Sequence, residues 1–112
     1  LRKIILTTDK STMENVGDIM SQKNAFVYEQ EGVFKYGIAN TKNHTSFHSM
    51  VMYAFPEIAE IYKSKFIGVK FQKGCINIKK LLNFDLDLFE EMLVESAQKD
   101  FSGVINHYKN KK

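Results

Sequence analysis

The chain has 112 residues, of which 44% are hydrophobic and 26% are charged, proportions that are ordinary for one globular domain with a single core. Its net charge is +3, but three of the 16 basic residues (Lys109, Lys111 and Lys112) lie at the C-terminus, and the other 13 equal the 13 acidic residues in number. Because nucleic-acid-binding domains carry their excess charge on a face or along a helix, this distribution argues against DNA or RNA binding.

The sequence has neither the pattern of a membrane helix nor that of a secretion signal. No apolar run approaches the roughly 18 residues that a membrane helix needs, and "LRKIIL" is too short for the apolar part of a signal peptide. Cys75 is the one cysteine, so it has no partner for an intrachain disulfide, which fits a reducing compartment. We therefore predict a cytoplasmic protein. Since the chain begins at Leu1 rather than methionine, we also expect an N-terminal helix that is partly missing.

The first half of the chain predicts the end of a helix followed by four strands. "LRKIIL" has apolar residues at helical spacing, and "MENVGDIM" alternates loosely around a glycine, which predicts a strand with a bulge. In "NAFVYEQEGVFKYGIAN" two apolar runs flank an "EG" turn, the pattern of a β-hairpin. Its second arm should turn Phe34, Tyr36 and Ile38 toward the core and Lys35 away from it. A strand from about Asn43 to Ser49 completes an antiparallel meander.

The second half predicts a helix, a strand and another helix. "AFPEIAEIYKSKF" contains a proline and a glutamate that mark a helix start, and its apolar stripe includes Ile61. After a loop through Gly68, "KGCINIKK" predicts a fifth strand whose isoleucines point opposite to Cys75. "NFDLDLFEEMLVESAQKDF" is the strongest helix, with Asp85 as its cap and Gly103 near its stop signal.

These elements predict one α+β domain over residues 1–112. We expect a two-layer sandwich in which helices pack on an about five-stranded, mostly antiparallel sheet. The basic residues at the C-terminus predict a solvated tail over about 104–112.

His44 and His48 stand out because both side chains titrate and both can bind a metal. On a strand they share one face with Lys42 and Ser46. At about 3.3 Å per residue they lie roughly 13 Å apart, too far to hold one zinc ion without a bulge. Cys75 is the only thiol that could add a ligand. We therefore favour half-buried, hydrogen-bonded histidines, or histidines that contact a ligand, over a metal site.

The other reactive residue types have structural explanations as well. A catalytic cysteine needs a histidine or a helix N-terminus that lowers its pKa, whereas Cys75 lies in the apolar-flanked "CINI", which favours a buried structural cysteine. Gly74 would let the backbone approach a ligand closely and Lys73 could anchor an anion, although phosphate-loop spacing is missing. Asp85 and the acids that follow it fit helix capping. We see no nucleophile–base pair and no set of metal ligands.

Three segments of the chain resemble a known family. They are "KNHTSFHSMVMYAFPEIAEIYKSKF", "VKFQKGCINIKK" and "FDLDLFEEMLVESAQKDF", and they are similar to the YdhG-like domain of unknown function that is found in bacteria. The similarity runs from Gly32 to about Phe101 and thins before the hairpin turn to Phe26 and Tyr28. It implies a compact α+β domain with helices against a sheet.

The same resemblance implies two kinds of binding. One branch of the family is similar to frataxin-type intracellular iron chaperones, which bind iron on an acidic surface, although this chain has no matching acidic ridge. Alternatively, the family-typical positions form a polar, mildly basic pocket that suits an anionic group. Those positions are Lys42, His44, His48, Tyr53, Lys73 and Lys79.

The sequence therefore predicts a non-catalytic binding domain. Its ligand is expected to be small and anionic, and to lie between the strand with His44 and His48 and the segment from Lys73 to Lys79. Two alternatives stay open: a frataxin-like iron-binding chaperone, and a homodimeric interaction module that associates through an exposed strand edge. We predict no enzymatic activity, no bound cofactor or metal, and neither a nucleic-acid nor a membrane partner.

Overall fold

A computed structural model of the chain describes residues 2–19, 22–40, 44–66, 69–72, 74–79 and 84–109. No helix in these ranges is long and apolar enough to cross a membrane. In chain order the elements are α1 (Arg2–Thr8), β1 (Met13–Ile19), β2 (Gln22–Gln30), β3 (Val33–Asn40), β4 (Thr45–Ser49), α2 (Met50–Ala54), α3 (Glu57–Tyr62), β5 (Val69–Gln72), β6 (Cys75–Ile78), α4 (Leu86–Ala97) and α5 (Ser102–Lys109).

The strands form one antiparallel sheet in the order β1-β2-β3-β4-β6-β5. The predicted α+β class and the predicted meander of the first four strands are confirmed, and the register of β1 shifts after Gly17, as the predicted bulge requires. The described sheet has six strands rather than about five. The additional strand is β5, in a stretch that the sequence assigned to a loop because four residues are too few to establish an alternation.

The helices pack on one face of this sheet. All five contribute buried residues to the main core, where they meet one face of the strands. A smaller apolar cluster on the other face consists of strand residues alone. We call this second face the open face, because no described helix covers it. Its cluster contains Ile19, Ala25, Val27 and Ala39, with Phe34 packed against them.

A β-bulge in β3 places some side chains of the hairpin on the opposite face of the sheet from the one predicted. The register between β2 and β3 shifts after Tyr28, so that Lys35 is an extra residue without a partner in the ladder. Lys35 joins the helix side, where it is only 2% exposed, whereas Phe34 packs on the open face. The predictions for these two residues are therefore wrong, while Tyr36 and Ile38 lie in the core as expected.

The C-terminal region is more regular than predicted. Residues from 104 to Lys109 belong to α5 rather than to a solvated tail, and Ile105 is buried in the main core. Gly103 lies inside this helix rather than at the end of α4. The last positions, 110–112, lie outside the described residues.

The helices α3 and α4 begin where the sequence places them. Asp85 caps α4 as predicted, since its Oδ1 accepts a hydrogen bond of 3.0 Å from the backbone N–H of Leu88. In α3 the buried residues are Ile58 and Tyr62. Ile61, which the sequence placed in the same stripe, is 41% exposed, because the short helix turns only a narrow side toward the core.

Candidate functional site

His48 lies on the open face of the sheet. Its neighbour Phe47 is fully buried in the main core, and successive side chains of a strand point to opposite faces. His48 is half-buried, as predicted, and pairs with Cys75 of β6. Burial lowers the pKa of His48 below its ordinary value of 6.5, so the neutral imidazole predominates at pH 7.

Polar side chains of three neighbouring strands lie beside His48. Each of β4, β6 and β5 contributes alternate residues, and the antiparallel register aligns them in rows across the strands. Neighbouring strands lie about 4.8 Å apart, and alternate residues lie about 6.7 Å apart along a strand. We call this surface the polar face. Its rows are His48, Cys75 and Gln72, and then Ser46, Asn77 and Lys70.

His44 and Lys79 adjoin one end of the polar face. His44 directly precedes Thr45, Lys79 directly follows Ile78, and Thr45 pairs with Ile78 across β4 and β6. Lys79 is exposed and His44 is half-buried. The structure therefore brings the predicted residues His44, His48 and Lys79 to two neighbouring strands.

Hydrogen bonds within the polar face use the side-chain oxygens of its two amides. Ser46 Oγ donates to Asn77 Oδ1 over 2.9 Å, and Cys75 Sγ donates to Gln72 Oε1 over 3.2 Å. Because these bonds occupy the amide oxygens, the amide nitrogens of Asn77 and Gln72 keep N–H groups for another acceptor.

Cys75 is half-buried rather than fully buried. Burial raises the pKa of its thiol, so the thiol stays protonated at neutral pH and is a weak nucleophile. Although His48 is its cross-strand partner, both groups favour their neutral forms. This pair therefore lacks the thiolate and imidazolium charges of a catalytic Cys–His dyad.

Two exposed lysines, Lys70 and Lys79, belong to or adjoin the polar face. Between Glu60 and Asp85 the sequence has six lysines and no acidic residue. Lys70 lies within the rows and Lys79 adjoins them, and neither forms an ion pair with any described residue. Sequence reasoning missed Lys70 because its strand was assigned to a loop. The acid-free run of lysines is the signal that would have found it.

Tyr53 belongs to another part of the molecule, a cavity of about 310 Å³ between α2, α3 and the β5–β6 hairpin. Its ring packs over Gly74, where an added Cβ would lie 3.2 Å from the ring and where φ is +82°. Tyr53 belongs to α2, which packs on the core side of the sheet, whereas His48 lies on the open face; Gln72 of the polar face also lines the cavity. Lys42 and Lys73, the other two predicted site residues, lie outside the described residues.

Within the described ranges, no group of three His, Cys, Asp or Glu side chains is arranged to hold a metal ion. Comparison of the chain with protein-family models, with curated proteins and with solved structures finds no match. The resemblance to the YdhG-like family therefore stays a prediction that rests on three sequence segments. The function has to be inferred from the polar face and the cavity.

Proposed function

We propose that this chain is a non-catalytic binding domain and that its polar face binds a small anion carrying phosphate or carboxylate groups. The observation that supports this proposal most is the grouping of Lys70 and Lys79 with neutral donors, in rows that contain no carboxylate. Lysine supplies a mobile positive charge, while the amide nitrogens of Asn77 and Gln72 supply directed hydrogen bonds.

The spacing of the two lysines suits an anion with more than one charged group. Lys70 pairs with Asn77, and Lys79 lies two residues after Asn77, directly beyond the end of β6. Diagonal neighbours of this kind have Cα atoms about 7–8 Å apart, and a lysine side chain is long enough to span most of that distance. Both ammonium groups are therefore within reach of one pyrophosphate or sugar phosphate.

The affinity should be modest and sensitive to salt. Lys70 and Lys79 are exposed, so water and dissolved ions screen their charges. We expect a dissociation constant of about 0.1 mM for pyrophosphate at low ionic strength, equivalent to about 5.5 kcal/mol of binding free energy.

Isothermal titration calorimetry with pyrophosphate tests this proposal. Lys70→Gln and Lys79→Gln should each weaken binding at least about fivefold, which corresponds to losing roughly 1 kcal/mol of charge interaction. Lys3→Gln is the matched control, since Lys3 is an exposed lysine on α1, and it should leave the affinity unchanged. Absence of saturable binding below 10 mM pyrophosphate, or equal weakening by all three substitutions, would overturn the proposal.

A second candidate function, the homodimeric interaction module, has one observation in its favour. The edge strand β1 exposes two large apolar side chains, Met13 at 71% and Val16 at 65%. Light scattering should show a dimer that Val16→Lys dissociates if this edge pairs with a second copy. A monomer at 0.2 mM protein would argue against that function.

A further inference from the structure

The strand β5 forms one edge of the described sheet, where it pairs with β6 alone. An edge strand presents backbone N–H and C=O groups on its outer side, and these can pair with another extended chain. We propose that this edge binds an extended acidic peptide of another protein, which adds to the sheet as a further strand and places an apolar side chain in the neighbouring cavity.

The cavity lies where such a side chain would point. Phe71 of β5 pairs with the core residue Ile76, so its ring lies on the helix side and forms a wall of the cavity together with Pro56 and Ala59. Side chains of an added strand alternate between the two faces in the same way. An apolar residue of the peptide beside Phe71 therefore enters the cavity, whose volume of about 310 Å³ accommodates a leucine or phenylalanine side chain.

We call the apolar peptide residue in the cavity the anchor. Charge complementarity indicates which peptide residues flank it. The neighbours of the anchor point to the open face, where Lys70 projects from β5, in a stretch of sequence that has six lysines and no acid. On the cavity side, Lys63 is already paired with Glu60 at 3.0 Å. The geometry therefore favours alternating apolar and acidic residues, with the acids on the side of Lys70.

A second copy of the chain fits this edge less well. Its own edge strand β1 has Glu14 and Val16 on one face, because these residues are separated by two positions. Glu14 would thus enter the cavity side together with Val16. A peptide of another protein has no such restriction.

The test uses fluorescence anisotropy with a fluorescein-labelled peptide, Glu-Leu-Glu-Leu-Glu, titrated with the full chain. We expect saturable binding with a dissociation constant of about 0.1 mM, and at least tenfold weaker binding when lysine replaces glutamate in the peptide. Two further peptides carry N-methyl groups on the leucines or on the central glutamate. Because an added strand directs alternate N–H groups toward its partner, one N-methylated peptide should lose binding and the other should retain it.

Substitutions in the chain locate the anchor. Ala59→Leu fills the cavity and should weaken peptide binding at least fivefold, while Ala54→Leu, an exposed alanine of α2 outside the cavity lining, should change it less than twofold. Lys79→Gln should weaken pyrophosphate binding without affecting the peptide, which separates this inference from the anion site.

Three results would overturn the inference: no saturation at 1 mM protein, equal binding of both N-methylated peptides, or wild-type binding by a folded Ala59→Leu chain. Should Ala59→Leu fail to fold, as judged by circular dichroism, the N-methylated pair decides alone. Self-association that competes with the peptide would assign the edge to a second copy instead.

Discussion

The buried ion pair between Asp9 and Lys35 provides a direct test of how this fold is stabilised. The two side chains are 3% and 2% exposed, and Lys35 Nζ lies 2.7 Å from Asp9 Oδ2. The Tyr36 hydroxyl donates to the same carboxylate over 2.9 Å, and Lys35 Nζ also donates to Gln30 Oε1 over 2.7 Å. The backbone N–H and the hydroxyl of Ser11 both donate to Asp9 Oδ1. The network therefore joins the loop after α1 to the β2–β3 hairpin.

Replacing Asp9 by asparagine keeps the shape of the side chain but leaves the ammonium group of Lys35 buried without a counter-ion. Breaking a buried pair in this way costs about 3–5 kcal/mol, whereas replacing both partners is often nearly neutral. We therefore expect Asp9→Asn to lose about 3–5 kcal/mol of unfolding free energy. Adding Lys35→Met should recover at least half of that loss, since the unpaired charge is removed.

The same pair predicts how stability depends on pH. Burial raises the pKa of Asp9, but the hydrogen bonds from Lys35 and Ser11 lower it by more, so that it lies below its ordinary value of 3.8. The pKa of Asp9 is lower in the folded chain than in the unfolded chain. The ion pair therefore contributes its full stability at any pH above the pKa of the unfolded chain, and this stability is lost as the pH falls through the pKa of the folded chain. The wild-type chain should therefore lose stability more steeply than Asp9→Asn below about pH 4.

Urea unfolding followed by circular dichroism at pH 7 and pH 3 measures both effects. The reasoning is refuted if Asp9→Asn loses less than about 1 kcal/mol at pH 7, the cost of an ordinary exposed pair. It is also refuted if Lys35→Met recovers nothing, or if Asp9→Asn keeps the steep loss of stability in acid.

Further predictions address a glycine, a helix cap and the titration of the open face. Gly37→Ala should cost about 1–3 kcal/mol, because an added Cβ would lie 2.4 Å from Ile19 Cδ1. Gly103→Ala, where an added Cβ meets nothing within 4 Å, should instead stabilise α5 by about 0.5–1 kcal/mol, and thermal melts compare the two. Asp85→Ala should lower the urea midpoint by an amount equivalent to about 1 kcal/mol. The pKa of His48 is lowered by burial, so the melting temperature should fall as the pH drops below about 6.5, and His48→Gln should reduce that slope.

The periodicity of the sequence was enough to predict most of the fold. Four strands joined by short turns, a proline-marked helix start and an aspartate cap are local signals, and the structure confirms all three. Three elements escaped prediction: β5, α5 and the five-residue α2, which begins directly at the end of β4. β5 is too short for its alternation to be distinguished from a loop, and α5 has a glycine at its second position, where glycine more commonly signals the end of a helix.

The face of the sheet on which the Lys35 side chain lies could not be predicted from the local sequence. Alternation along a strand assigns a lysine to the solvent side, and only a partner 26 positions away in sequence, Asp9, makes its burial favourable. The same limit applies to the candidate site. Strand geometry predicts that His44 and His48 lie too far apart to share a metal ion, but whether Tyr53 lies on their side of the sheet depends on how α2 packs.

The dependence of affinity on salt concentration distinguishes the two binding proposals, because both place a ligand at the same lysine-rich edge of the sheet. At 0.1 M salt the screening length is about 10 Å, so the interaction of an exposed lysine with a bound anion weakens strongly between low and physiological ionic strength. Pyrophosphate depends on this interaction, whereas a peptide added to β5 also gains backbone hydrogen bonds and buries its anchor beside Phe71. Peptide affinity should therefore fall less steeply with salt than pyrophosphate affinity. If both fall in parallel, charge alone holds the peptide and strand addition is wrong.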